Sequence, residues 1–168
     1  MKFDELDAKM RTFELARDPS ALPETFLVAR IDGRSFTRLT KEIMAFERPF
    51  DVVFRDHMLA TVEHLMNCGF PCVYGYTESD EISLLFPRDA TTFGRSIRKW
   101  TSILAGEASG AFSARVGRAA AFDCRIIELP TAALVVDYFR WRSEDAHRNA
   151  LNAWCYWKLR DEGVNPDD

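Results

Sequence analysis

The strongest constraint on the fold is the order in which two hydrophobic periods follow one another along the chain. An apolar run from Phe26 to Ile31 reads as a buried strand, and Asp32-Gly33 cuts it off. From Phe50 to Asn67, Val53, Phe54, Met58, Leu59, Val62, Leu65 and Met66 keep a helical period that Gly69 and Pro71 end. Residues 72–77 and 81–86 read as two strands joined by a tight turn that holds Glu78, Ser79 and Asp80. A second long helix is expected over Phe93–Phe112, with Ile97, Trp100, Ile103, Leu104 and Ala108 on one face, followed by a strand from Arg118 to Ile127. The order β-α-β-β-α-β is that of an α+β, ferredoxin-like split βαβ sheet, antiparallel, with both helices on one face and strand three beside strand one.

That topology brings distant residues together. Strand one runs antiparallel to strand three, so the end of the first lies near the start of the third, and Asp32 and Asp80 occupy those two corners. Gly33 has no Cβ to clear, so the carbonyl and N–H groups of residues 32–37 can approach a metal ion or a phosphate closely. Mg²⁺ takes hard oxygen ligands and keeps several waters, so Asp32, Asp80 and a nearby carbonyl suffice for two ions about 3.5 to 4 Å apart. Strand alternation sends Glu81 to the opposite sheet face, which ranks it below Asp80. Donors for phosphate are the N–H groups after Gly33, the hydroxyls of Ser35 and Ser79, and the side chains of Arg48, Arg95 and Lys99.

The flanks add helices. Phe3, Leu6, Met10 and Phe13 give residues 2–17 an amphipathic helix expected to pack as a cover. Thr131–Arg160 is helical by pattern and carries Tyr138, Phe139, Trp141, Trp154, Tyr156 and Trp157, a stripe expected at a subunit interface. The 168 residues suit one domain, with residues 1–129 as the palm and its opening helix and 130–168 as a helical extension. The charged N-terminal residues and the lack of a long apolar run point to a cytoplasmic protein that does not enter a membrane. Cys68, Cys72, Cys124 and Cys155 form no CxxC pair, so reduced thiols are expected; His57, His64 and Cys68 share a helix face at a spacing that zinc sites do not favour. A net charge of −4 argues against indiscriminate nucleic-acid binding. Residues 88–125 nevertheless hold seven Arg or Lys against three Asp or Glu, which suits a polyanion beside a metal-binding pocket.

Five segments carry a family resemblance: "RIDGRSF" at 30–36, "FERPFD" at 46–51, "GYTESDEISLLF" at 75–86, "FDCR" at 122–125 and "YFRWRSEDAHRNAL" at 138–151. Together they resemble the tRNA-His guanylyltransferase family and its Thg1-like relatives, in order and over most of the chain. The resemblance implies a polymerase-like palm that adds nucleotides 3′-to-5′ to the 5′ end of tRNA, with ATP and GTP as substrates and a tetrameric assembly. It implies Asp32 and Asp80 as ligands of two Mg²⁺ ions with the Gly33 carbonyl, and Arg34, Ser35, Phe36 and Thr37 as a backbone cradle for a triphosphate. Phe46 and Asp51 match positions around the activating nucleotide's base, and Arg48, Ser79 and Lys99 match phosphate contacts. Where eukaryotic members read His-Ile-Asn-Asn, this chain reads His147-Arg148-Asn149-Ala150, which points to the branch that rebuilds truncated tRNA 5′ ends. The family's chains usually continue well beyond the position matching Asp168. Two other readings stay open on the residues: a nucleotide cyclase built on the same palm logic, and a palm that binds RNA or partners without catalysis.

Overall fold

The computed structural model describes residues 2–44 and 46–164. Helix α1 (Phe3–Leu15) is followed by strand β1 (Phe26–Gly33), a helical turn α2 (Phe36–Arg38) that runs into a π-turn over Leu39–Ile43, and helix α3 (Val52–Met66). The hairpin β2 (Tyr74–Glu78) and β3 (Glu81–Phe86), helix α4 (Ile97–Val116), strand β4 (Phe122–Leu129) and helix α5 (Ala132–Asp161) complete the order. The sheet runs β2-β3-β1-β4, and every neighbouring pair is antiparallel. This is the split βαβ topology the sequence pattern predicts.

Local chemistry sets the helix ends. Asp51 caps α3 by accepting the Phe54 N–H at 2.8 Å, and Ser96 caps α4 by accepting the Lys99 N–H at 3.3 Å. Gly117, at φ 67°, closes α4 in the left-handed conformation. Helix α4 starts at Ile97 because Phe93, Gly94 and Arg95 before it all take positive φ. Strand β4 starts at Phe122 because the chain first climbs from Gly117 to the tip of β1.

Leu27, Ala29 and Ile31 of β1 and Ile82, Leu84 and Phe86 of β3 point into a core closed by Met58, Val62 and Leu65 of α3 and by Trp100, Leu104, Ala108 and Phe112 of α4. Phe36 belongs to this core, with its ring 4.8 Å from that of Phe122 and 5.1 Å from that of Phe112. Its side chain therefore offers nothing to a phosphate. The other face of the sheet is not left bare. Helix α5 crosses it, with the Tyr138 hydroxyl 2.8 Å from that of Ser83 and the Phe139 ring edge-on to Tyr74 at 4.9 Å. The expectation of helices on one face holds for α3 and α4 alone, because Ser83, Glu81 and Arg30 give the second face polar groups that a partner helix satisfies.

Two further expectations are corrected. Helix α1 buries none of its residues: Phe3 is 78% and Phe13 69% exposed, so its apolar stripe is left uncovered among the described residues. Of the aromatic stripe expected at an interface, Tyr138 and Phe139 instead pack onto the sheet, whereas Trp141, Leu151 and Trp154 are exposed. Among the described residues no helix is long and apolar enough to cross a membrane.

Arg95 is a structural knot and not a phosphate donor. It is buried, and its guanidinium donates to the carbonyls of Ala21, Leu22, Thr25, Arg88 and Ala90 and to the Thr25 hydroxyl, at 2.7 to 3.3 Å. Those bonds hold the left-handed turn of Phe93–Arg95 against the chain entering β1. Replacing Arg95 with Ala leaves several buried carbonyls unpaired and is expected to cost about 3 kcal/mol or more in urea unfolding. The folded fraction of R95A should bind GTP as the wild type does.

Candidate active site

The site is built where β1 ends. Asp32 pairs in register with Glu81 of β3 on one side and Asp123 of β4 on the other. One residue further the Gly33 N–H donates to the Asp80 carbonyl at 3.1 Å, and the Arg34 N–H donates to the Ala121 carbonyl at 2.8 Å. Successive amides thus tie the strand tip to the β2–β3 turn and to the lead-in of β4. A Cβ at Gly33 would stand 2.5 Å from the Phe36 ring, so only glycine lets the loop turn over its own anchor.

Asp80 lies in the two-residue turn of the hairpin, outside either strand. Ser79 before it holds φ 49°, and its hydroxyl donates to Asp80 Oδ1 at 3.1 Å. This turn changes the parity expected of the next residue. Glu81 opens β3 directly opposite Asp32, so it shares the sheet face of Asp32 and does not turn away from it.

Four carboxylates therefore crowd one corner, and two arginines divide them. Arg30 Nε donates to Glu81 Oε2 at 2.7 Å; Arg142, buried in α5, donates to Glu81 Oε1 at 2.7 Å, to Glu78 Oε1 at 2.6 Å and to Asp145 at 2.8 Å. Trp141 lies under both cations, 5.8 Å from the Arg30 guanidinium and 4.5 Å from that of Arg142. Asp32 and Asp80 have no ion-pair partner among the described residues. Burial pushes the Asp80 carboxyl above its ordinary pKa, and the charges of Asp32 and Glu81 push it further, against the Ser79 hydrogen bond. A cation would relieve the desolvation and the repulsion together. Among the described residues no group of three or more His, Cys, Asp or Glu gathers as a metal site, so a cation here would draw its remaining ligands from the Gly33 carbonyl, substrate phosphate and water.

The other anticipated residues fall into three places. Arg34, Ser35 and Thr37 are exposed on the loop after Gly33, with Ser35 at φ 61°. Phe46, Arg48 and Asp51 stand on the approach to α3. The Phe46 ring is 5.5 Å from Phe54 and 6.4 Å from His57. Both carboxylate oxygens of Asp51 accept backbone N–H groups, from Phe54 and, at 2.7 Å, from Glu47. Arg48 lies over the Trp157 ring at 4.6 Å, so the far end of α5 meets this loop. Lys99 is not brought to the carboxylates: it sits in the first turn of α4, 5.4 Å from the Phe93 ring, at the end of the sheet where β1 begins. About 15 Å of α4 separates it from Ser109, which accepts the Phe122 N–H beside the tip of β1. His147 and Asn149 are exposed on α5, and Asn149 donates to Asp145 at 3.4 Å. His64 pairs with Glu107 at 2.6 Å on the outer helical face. A depression of about 660 Å³ lined by Met66, Phe70, Pro87 and Asp89 also lies at the remote end of the sheet, without a basic residue in its lining.

The sequence pattern assigned no role to Arg30 or Arg142, and it placed Trp157 at a subunit interface and not against Arg48. The signal for the first two was charge parity: Arg30 and Asp32 alternate with the apolar residues of β1, which announces a polar second face that something must neutralise.

A split βαβ sheet with an unneutralised carboxylate pair at the tip of its central strand defines a palm-type domain. The family model described as tRNAHis guanylyltransferase matches residues 7–130, and the chain belongs to that family. The tRNA(His) guanylyltransferase of Debaryomyces hansenii is 32% identical over 158 residues, which cover 87% of this chain and 59% of the relative. A bacterial tRNA(His) guanylyltransferase (Thg1)-like protein in complex with GTP superposes with a TM-score of 0.85 at 28% identity, over 92% of this chain and 72% of that one. The tRNA(His) guanylyltransferase from Saccharomyces cerevisiae superposes with a TM-score of 0.87 at 25% identity, over 99% and 75%. The chain spans between half and three fifths of the Debaryomyces relative and of a probable tRNA(His) guanylyltransferase of Drosophila melanogaster, at 59% and 54%.

The raised pKa of Asp80 gives a stability test. Its charged form is disfavoured by the fold, so the destabilisation is absent below the ordinary carboxylate value of about 4 and is fully present once pH exceeds the raised value. In metal-free buffer D80N should melt above the wild type at pH 7, and the two should converge near about pH 3. Mg²⁺ should raise the melting temperature of the wild type and leave that of D80N unchanged.

Proposed function

We propose that this chain is a Mg²⁺-dependent 3′-to-5′ nucleotidyltransferase that extends the 5′ end of a tRNA with GTP. The observation that carries the reading is the corner where Asp32 and Asp80 meet without a counter-ion among the described residues while the neighbouring Glu78, Glu81 and Asp123 each have one. The family membership and the GTP complex of a similar bacterial protein support it.

The reaction has two successive displacements at phosphorus. The tRNA 5′-monophosphate attacks the α-phosphorus of ATP, pyrophosphate leaves and the 5′ end is adenylylated. The 3′-hydroxyl of GTP then attacks the 5′ phosphate, AMP leaves and a new phosphodiester stands at the 5′ end. Asp32 and Asp80, with the Gly33 carbonyl, are the residues that hold Mg²⁺, two ions in our reading. When bound, these ions neutralise phosphate charge and lower the pKa of the attacking hydroxyl.

The chain's own groups do the positioning. The Arg34 amide is held by Ala121, so the loop offers a triphosphate the amides of Ser35, Phe36 and Thr37, and Ser79 turns its hydroxyl on the same corner. Phe46 and Asp51 line the approach for a base, and Trp157 holds Arg48 beside it. Arg142 and Arg30 keep Glu78 and Glu81 from competing for the ions and fix the hairpin that carries Asp80. In this reading residues 1–129 are the catalytic palm and 130–168 a helical extension, with His147 and Asn149 on its exposed face in a supporting role. His147-Arg148-Asn149-Ala150 favours repair of truncated 5′ ends over addition restricted to tRNA-His. Cytoplasmic tRNA is the substrate, and the uncovered stripe of α1 suits assembly with further copies into a tetramer.

Incubation with a tRNA lacking its first nucleotide, labelled GTP, ATP and Mg²⁺ tests the proposal. Extension by one labelled nucleotide is expected, reduced at least about 100-fold in D32A and D80A. No extension by the wild type, undiminished extension by D80A, or a cyclic product from GTP alone contradicts it.

A further inference from the structure

The Arg34 amide that secures the tip of β1 also forms one wall of a second feature. Behind the loop, on the β4 side, lies a cavity of about 380 Å³ lined by Arg34, Ser35, Arg38, Leu39 and Ile43 and by Ala119–Ala121. It opens two strand spacings, about 10 Å, from the β3 side of the tip where Asp80 sits. Its size is within the about 300 to 1,000 Å³ of small-ligand sites. The lining divides by chemistry. Leu39, Ile43 and the three alanines make an apolar floor, and two guanidiniums and a hydroxyl stand at its edge.

Charge continues outward from that edge. Arg115 lies in the last turn of α4 and Arg118 immediately precedes the alanine wall; both are exposed, and from Ala108 to Phe122 the chain has no acidic residue. Arg34, Arg115 and Arg118 have no ion-pair partner among the described residues, and Arg38 has only Glu42, at 3.6 Å with both side chains mostly exposed. Asp123, the next acid along the chain, is paired with Arg125 at 3.2 Å. The wall itself is rigid: Ser113 Oγ bonds the Ala120 N–H at 2.9 Å, and Ser109 Oγ bonds the Phe122 N–H at 2.9 Å.

An apolar floor edged by guanidiniums suits one nucleotide, with its base against the floor and its phosphate at the rim. A line of unpaired arginines leading away suits a ligand whose charge continues past that nucleotide. A free nucleoside triphosphate carries its charge at one end, and in the proposed function that end belongs to the carboxylate corner. We infer that this cavity and the arginines at 34, 38, 115 and 118 bind the RNA strand next to the reacting 5′ end, with one nucleotide seated on the alanine wall. The inference rests on the proposed action on tRNA and names the surface that holds the RNA.

The test is anisotropy titration of a labelled 5′-truncated tRNA across a salt series, with GTP and Mg²⁺ binding followed by calorimetry on the same samples. R115E/R118E should weaken tRNA binding at least about tenfold and lower the salt slope by about two, one for each phosphate that is no longer neutralised. R115K/R118K should restore both, and A119W, which fills the cavity without changing charge, should weaken tRNA binding and leave the salt slope near that of the wild type. GTP binding should be unchanged in all three. Wild-type affinity and slope in R115E/R118E overturn this inference and leave the proposed function standing. Loss of GTP binding in A119W with tRNA binding intact also overturns it, since the cavity would then hold the free nucleotide. A wild type that binds no tRNA at all overturns both.

Discussion

Two consecutive amides at the tip of β1 are the constraint on which the site depends. The Gly33 N–H reaches the Asp80 carbonyl on one side and the Arg34 N–H reaches the Ala121 carbonyl on the other, so three segments distant in sequence are fixed to one strand end. Strand pairing makes this an all-or-none arrangement. A slip of one residue between β1 and β3 would turn Asp32 into the apolar core and Ile31 onto the polar face. The apolar burial of Leu27, Ala29, Ile31, Ile82 and Leu84, about 25 cal/mol per Å² of surface removed from water, opposes that slip. The core thus sets the register of the strand tip.

Upon this frame the charges are sorted. Glu78 and Glu81 receive arginines, and Asp32 and Asp80 do not. Arg142 comes from α5, so a helix that enters only after the sheet is complete decides which carboxylates stay available. The same helix supplies Tyr138 to the middle of the sheet and Trp157 to the loop carrying Arg48, and so links the second face of the sheet to that loop. Backbone strain gathers at this corner too: Ser35 and Ser79, one on each side of the carboxylate pair, both hold positive φ. An acidic, strained and partly buried pocket destabilises the free protein and favours a cation.

The sequence announced the sheet because hydrophobic period is a local signal, and Asp32 and Asp80 followed from topology once the strand order was known. Parity at the hairpin was not legible. Whether Asp80 belongs to the turn or the strand is decided by a two-residue loop, and Glu81 changes face with that choice. Arg95 was misread for a related reason: α4 begins only at Ile97, at the far end of the sheet, and Arg95 stands before it in a left-handed turn where it ties carbonyls together. Phe36 lies in a motif of exposed character yet anchors the loop from below, which only the packing with Phe112 and Phe122 reveals. The role of Arg142 needs the path of α5, set by tertiary contacts and not by any period.

The central claim is that Asp32 and Asp80 together hold divalent cations beside a nucleoside triphosphate. Its most direct test is Mn²⁺ binding followed by electron paramagnetic resonance in the presence of GTP. The account predicts two bound Mn²⁺ ions per chain in the wild type, with binding weakened in both D32N and D80N. Unchanged Mn²⁺ binding in either variant would contradict it.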